Sequence, residues 1–230
     1  MKIFADGAKL NDMLEAYKKG EVQGFTTNPT LMRQAGVTDY QAFAKSALAE
    51  IKDLPISFEV FSDDFSSMAE QAHKIAGWGD NVYVKIPVTN TKGESSGSLI
   101  RSLSADGIKL NVTAILTLDQ VTEVVEALSP STPAVVSVFA GRIADTGVDP
   151  VPLMTKARQI CSKRPKAELL WASPREVLNI YQAEQIGCHI ITVTPDLLRK
   201  LSLKGKDLKQ YSLETVEMFY RDATQAGFQL

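Results

Sequence analysis

The sequence predicts a single closed (β/α)8 barrel, a TIM barrel, followed by one additional C-terminal helix. Three observations predict it. Short runs rich in β-branched and aromatic residues alternate with longer stretches of helical period along the whole chain. Eight such repeats in 230 residues fit a closed barrel better than an open doubly wound sheet. The glycine signatures of nucleotide-binding open sheets are missing: no Gly-x-Gly-x-x-Gly follows an early strand, and no Gly-x-x-x-x-Gly-Lys-Ser/Thr occurs.

In chain order, the strands are expected to begin near Lys2, Gly24, Ile56, Val82, Leu110, Ala134, Ala167 and His189. After the first strand Leu10, Met13, Leu14 and Tyr17 repeat at helical spacing, and Gly20 supplies the stop. Before the third strand Tyr40, Phe43, Ala44, Ala47, Leu48 and Ile51 repeat in the same way. A last helix, from about Leu213 to Gln225, lies beyond the eighth unit, where it can cap the barrel or reach a neighbouring subunit. No linker or compositional shift divides the chain, so residues 1–230 read as one domain.

Composition narrows the function classes. With 25 basic and 27 acidic residues spread along the chain, there is no electrostatic footprint for nucleic acid or a membrane surface. No apolar stretch approaches the roughly 20 residues that cross a bilayer, and Met1-Lys2-Ile3-Phe4-Ala5-Asp6 lacks the layout of a signal peptide, so a cytoplasmic protein is expected. Cys161 and Cys188 are expected to be reduced, buried thiols, because they form no close pair and have no histidine-based activation pattern.

The fourth strand, Asn81-Val82-Tyr83-Val84-Lys85-Ile86-Pro87-Val88-Thr89, is a buried-strand run interrupted by one charge. An ammonium inside a barrel is costly unless it is paired or neutral, and an amine nucleophile needs the neutral form. The alternatives are a structural lysine paired to a carboxylate, or one whose head snorkels out past the strand end. Pro87 marks the end of the strand and so places Lys85 toward the C-terminal mouth, where barrel active sites sit.

Other polar residues fall at strand ends: Asp6 after the first, Thr26-Thr27-Asn28-Pro29 after the second, Glu59 in the third, Asn111 and Thr113 in the fifth. Each alone reads as a turn, a cap or a strand former, but a barrel brings them to one mouth. A metal-stabilised enolate would need histidine ligands; the chain has two histidines, His73 in a helical stretch and His189 opening the eighth strand, so no metal is expected. Ser173-Pro174-Arg175-Glu176 carries a helix-start signature, with serine as cap and proline at the first helical position. A helix N-terminus beside Arg175, with Arg142 just past the sixth strand, makes a candidate phosphate site; the alternative for Arg142 is an ion pair with Asp145.

These motifs resemble the transaldolase family, and its short-chain members that include the fructose-6-phosphate aldolases. The matching segments span nearly the whole chain: Phe4-Ala5-Asp6, Gly24 to Thr30, Phe58-Glu59-Val60, Val84 to Thr89, Asn111-Val112-Thr113, Ser137 to Asp145, and Ala172 to Arg175. The resemblance implies a cofactor-free, ping-pong transfer of a dihydroxyacetone unit between sugar phosphates in the pentose phosphate pathway. By position Lys85 resembles the Schiff-base lysine, and Glu59 with Thr113 the pair that moves protons through a bound water. Asp6 resembles the residue acting on the hydroxyl during carbon–carbon cleavage. Thr26, Asn28, Asn111, Ser137 and Phe139 would line the sugar site, with Asn28 and Ser137 on the donor's hydroxyls. Arg142, Ser173 and Arg175 resemble the phosphate clamp.

Glu59 and Phe139 are similar to the transaldolase pattern, since the aldolases of the family have glutamine and tyrosine there. Gly7 and Pro174 depart from the pattern, in which threonine or serine follows the aspartate and phenylalanine follows the serine. The expected reaction is transfer from sedoheptulose 7-phosphate to glyceraldehyde 3-phosphate, giving erythrose 4-phosphate and fructose 6-phosphate. The rivals are release of free dihydroxyacetone and a non-catalytic sugar-phosphate-binding barrel. Resemblance to the short-chain members also implies a homo-oligomer, a ring-based decamer.

Overall fold

The computed structural model describes residues 1–230. Its elements in order are β1 (Lys2–Asp6), α1 (Leu10–Lys19), β2 (Phe25–Thr26), α2 (Pro29–Gln34), α3 (Tyr40–Glu50), β3 (Ile56–Glu59), α4 (Phe65–Ala76), β4 (Val82–Pro87), α5 (Gly97–Ala105) and β5 (Leu110–Ile115). There follow α6 (Leu118–Ala127), β6 (Ala134–Val138), α7 (Ala140–Asp145), α8 (Pro150–Cys161), β7 (Ala167–Trp171), α9 (Val177–Gln185), β8 (Ile190–Val193), α10 (Pro195–Lys200), a 3-10 turn at Leu201–Leu203 and α11 (Leu208–Ala226). All eight strands are parallel, each beside its neighbour in sequence, and β1 closes on β8 from Lys2↔Ile190 to Ala5↔Val193.

Side-chain alternation divides the barrel into two apolar layers. Phe58, Val84, Ile86, Leu110, Val112 and Trp171 join a large cluster with helix residues such as Met68, Ala72, Val121, Val124, Met154 and Ala157. The residues that alternate with them inside the barrel form a separate, small cluster of Phe4, Val135, Leu170, Ala172 and Ile190, flanked by Tyr83 and Phe139. Gly24 belongs to this interior: a Cβ there would lie 2.6 Å from the Phe4 ring, so the ring occupies the space a larger residue would need. Above this plug, toward the C-terminal ends, the inward positions turn polar.

The other end of the barrel is closed by structural contacts. Lys2 pairs with Glu168 at 2.9 Å. His189 Nδ1 accepts the Leu169 N–H at 2.8 Å, which fixes a neutral imidazole, and burial holds its pKa below the usual histidine range. Cys161 and Cys188 are free and buried, and burial pushes their thiols up to about 12 and about 11.

The expected strand starts agree with the structure to within one residue, β2 and β8 beginning at Phe25 and Ile190. Gly20 ends α1 in the left-handed conformation, φ 66°. The last helix is longer than its apolar pattern, starting at Leu208 because Asp207 caps it by accepting the Gln210 N–H at 2.9 Å. No helix is long and apolar enough to cross a membrane.

Candidate active site

Lys85 lies on the inner face of β4, 6% exposed, at the polar end of the barrel. Parallel register sets its neighbours: Glu59 of β3 is opposite Lys85, Asn111 of β5 is opposite it on the other side, and Thr113 is opposite Pro87. Lys85 Nζ donates to the Thr27 carbonyl at 2.9 Å and lies 3.1 Å from Glu59 Oε2. The charge is therefore paired, and its partner is another of the polar residues at the strand ends.

Two hydrogen-bonded chains flank this pair. On one side Thr26 Oγ1 donates to Asp6 Oδ1 at 2.8 Å and sits 2.5 Å from Thr192 Oγ1. Burial holds the Asp6 carboxyl above the usual aspartate range, against the opposing pull of the Lys85 charge and the Thr26 hydrogen bond. On the other side Ser137 Oγ donates to Asn111 Oδ1 at 2.6 Å, and Asn111 Nδ2 donates to Ser57 Oγ at 3.0 Å. Ser57 and Thr192 were not anticipated from sequence, where they read as ordinary strand residues.

Thr113 Oγ1 is buried without a partner in the chain, as are the indole nitrogens of Trp78 and Trp171. The residue after it, Ala114, has φ 63°, and the β5–β6 register shifts between Val112 and Ile115. Such a bulge re-aims the side chains beside it and often marks a functional strand end. Asn28 caps α2, its Oδ1 accepting the Leu31 N–H at 2.9 Å, which leaves its amide nitrogen to serve a ligand.

The expected phosphate side is arranged differently. Ser173 is not a helix cap: it has φ 57°, and α9 starts only at Val177. The reason is tertiary. A Cβ on Gly141 would lie 1.5 Å from the Ser173 carbonyl oxygen, so the β7 loop is pressed onto the start of α7, and only glycine fits beneath it. The N–H groups of Arg175 and Glu176 are already donated to Asn179 Oδ1, at 2.7 and 3.2 Å, and do not form an open anion site. Arg175 pairs with Asp145, its Nε 3.0 Å from Oδ1, so the acid anticipated as an alternative partner for Arg142 is taken. Arg142 instead lies over the Phe139 ring, 5.5 Å from its centroid.

A cleft of about 840 Å3 opens beside Asp6 and Gly7 between α1, α2 and α10, without reaching Lys85 or Glu59. No group of three or more His, Cys, Asp and Glu side chains is placed to hold a metal ion. The arrangement at the mouth is that of an amine, two carboxylates and several hydroxyls in a desolvated ring. It can form a covalent bond to a carbonyl and pass protons to and from a polyhydroxylated ligand.

The model of the family described as Transaldolase/Fructose-6-phosphate aldolase matches residues 3–230. The chain belongs to that family. A protein named probable transaldolase from Dehalococcoides mccartyi is 34% identical over 202 residues, 87% of this chain and 90% of that relative. Another of the same name, from Streptococcus pyogenes, is 36% identical over 203 residues, 88% of this chain and 90% of the relative. Among solved structures, 3-hexulose-6-phosphate synthase from Salmonella typhimurium superposes with a TM-score of 0.60 at 15% identity, covering 88% of this chain and 97% of that one. That likeness concerns the barrel alone.

Proposed function

We propose that the chain is a Schiff-base transaldolase, one barrel domain over residues 1–230, acting on sugar phosphates in the cytoplasm. The observation that carries this reading is the single buried amine at the mouth, with Glu59 Oε2 3.1 Å from Lys85 Nζ. In the reading, the Lys85 amine adds to the C2 carbonyl of a ketose phosphate, and water leaves as the Schiff base forms. Glu59 supplies and removes the protons through water, with the unpartnered Thr113 hydroxyl holding that water. Asp6 takes the proton of the C4 hydroxyl as the C3–C4 bond breaks, and the aldose phosphate departs. The electron pair stays on the enamine, which attacks the acceptor aldehyde; the same steps in reverse release the new ketose phosphate. Desolvation raises the proton affinity of the half-buried Asp6, which suits a group that must take up a proton.

Arg175, Arg142 and Ser173 bind the phosphate in this reading, which requires Arg175 to exchange Asp145 for the ligand. Both side chains of that pair are half exposed, and such pairs contribute about 0–1 kcal/mol, less than a charge-assisted contact to phosphate. Thr26, Asn28, Asn111, Ser137 and Phe139 line the sugar site. We also place the chain in a homo-oligomer, a decamer by family resemblance. α11 buries no residue in its own chain and exposes Leu208, Val216, Phe219 and Tyr220, which is the surface expected of a helix that packs on another copy.

Transfer is favoured over release of dihydroxyacetone because Phe139, at the edge of the interior cluster, brings a ring and no proton to the mouth. The test is fructose 6-phosphate with and without erythrose 4-phosphate. Wild type should transfer the three-carbon unit and release little free dihydroxyacetone; Phe139→Tyr should shift the ratio toward release. An unchanged ratio would remove the ground for preferring the transferase.

A further inference from the structure

The end of β3 has a gap in its ladder, and one side chain from outside the barrel fills it. β3 turns alternate residues toward β2: Pro55 O accepts the Phe25 N–H at 2.8 Å, and Ser57 O accepts the Thr27 N–H at 3.2 Å. In a parallel ladder the next rung would run from the Glu59 N–H to the Thr27 carbonyl. That carbonyl instead accepts from Lys85 Nζ at 2.9 Å. The chain leaves the sheet there, since Asn28 caps α2 and Pro29 begins it. Glu59 is thus left with an N–H and a carbonyl on an edge whose strand has departed.

Tyr40 supplies both missing partners. Its hydroxyl accepts the Glu59 N–H at 2.7 Å and donates to the Glu59 carbonyl at 2.8 Å. A hydroxyl is a donor and an acceptor at one atom, so one side chain can close both backbone groups of one residue. Tyr40 is itself held firmly. It is the first residue of α3, where Asp39 caps the helix by accepting the Ala42 N–H at 2.9 Å. Its ring meets Phe58, Phe61 and Trp78 at centroid distances of 6.3, 5.6 and 5.8 Å. Burial raises its pKa, which favours the protonated phenol that the two-way contact needs.

We propose that Tyr40 is a positioning residue for the lysine–carboxylate pair: its hydroxyl takes the place of a ladder rung, which frees the Thr27 carbonyl to hold Lys85 and fixes Glu59 opposite it. The proposal rests on the transaldolase reading. Tyr40 touches neither substrate nor the reacting atoms in this account; it acts through the Glu59 backbone. Without the hydroxyl, the Glu59 amide has two courses. It stays unpaired, or it draws the Thr27 carbonyl back and loosens Lys85.

The experiment is a double-mutant cycle on the full chain with Tyr40→Phe, Glu59→Gln and both together, and Phe61→Leu as a change in the same aromatic cluster that leaves Glu59 alone. Tyr40→Phe should lower kcat about ten-fold or more, with KM for fructose 6-phosphate changed less than about three-fold, as a small misplacement of an acid–base group does. In the Glu59→Gln background the same change should cost much less, and Phe61→Leu should leave kcat near wild type. Equal losses in both backgrounds, or an unchanged kcat, would overturn the proposal. Should Tyr40→Phe fail to fold, amide exchange in the wild type decides: the Glu59 N–H should exchange as slowly as the ladder amides around it, and fast exchange would overturn the proposal. If borohydride traps no substrate carbon on the wild-type chain, the transaldolase reading falls and takes the proposal with it. Trapping in the wild type together with an unaffected Tyr40→Phe overturns the proposal alone.

Discussion

The β1–β5 side of the mouth and the β6–β7 side are built on different principles. On the first, Asp6, Thr26, Glu59, Lys85 and Asn111 stand on strands, and parallel register places Asp6 opposite Thr26, and Lys85 between Glu59 and Asn111. Their hydrogen bonds are made within the chain before any ligand arrives. On the second, Arg142, Ser173 and Arg175 stand on loops or a short helix, and their positions depend on the Gly141–Ser173 contact and on Asp145. In the proposed function, the groups assigned to the chemistry are held by the rigid element, and those assigned to the phosphate sit on exposed, exchangeable contacts.

That contrast predicts different kinds of damage. Arg175→Ala should raise KM for phosphorylated acceptors by about ten-fold, the order of one lost charge-assisted contact, with little effect on unphosphorylated aldehydes. Equal losses on both substrate types would show Arg175 to be a brace rather than a clamp. Asp145→Ala should act in the opposite sense and more weakly. Releasing Arg175 from a half-exposed pair should lower KM for phosphorylated acceptors by at most about five-fold, and a rise would mean that Asp145 orients the arginine for its ligand.

The smallest effect concerns stability on the strand-built side. The folded-state pKa of Asp6 is raised by burial, so its contribution to stability is fully present below the ordinary aspartate value, about 4, and is lost as pH rises through the folded value. Asp6→Asn keeps an oxygen for the Thr26 hydroxyl and removes the half-buried charge. In urea melts the variant should be more stable than wild type near pH 7.5, and the gain should shrink toward pH 4. A gain that does not vary with pH would mean that the aspartate charge is well solvated or fully compensated.

The strand-built side was also the legible one. Lys85 stood out because a charge broke a β-branched run, and Pro87 marked the strand end, which fixes its height in the barrel. The loop-built side misled at Ser173, whose Ser-Pro-x-Glu pattern reads as a helix start. Contact with Gly141 overrides that local preference, and Asn179 caps the segment from within the helix instead. Asp145 lies three residues from Arg142, a spacing that favours a local pair, yet its partner Arg175 comes from the next loop across the barrel. By sequence Tyr40 is one apolar position of an amphipathic helix, because its hydroxyl contact is to backbone 19 residues away and leaves no mark in side-chain pattern. Local periodicity reports which face is buried; it does not report where a ladder is interrupted.

In the proposed function Lys85 carries the substrate, and borohydride reduction in the presence of fructose 6-phosphate followed by peptide mass mapping reads that bond itself. A reduced three-carbon adduct is expected on the peptide containing Lys85, and Lys85→Met should be folded, inactive and free of adduct. An adduct on Lys109, which binds the Asp80 carbonyl at the opposite end of the barrel, or on any other lysine, would contradict it.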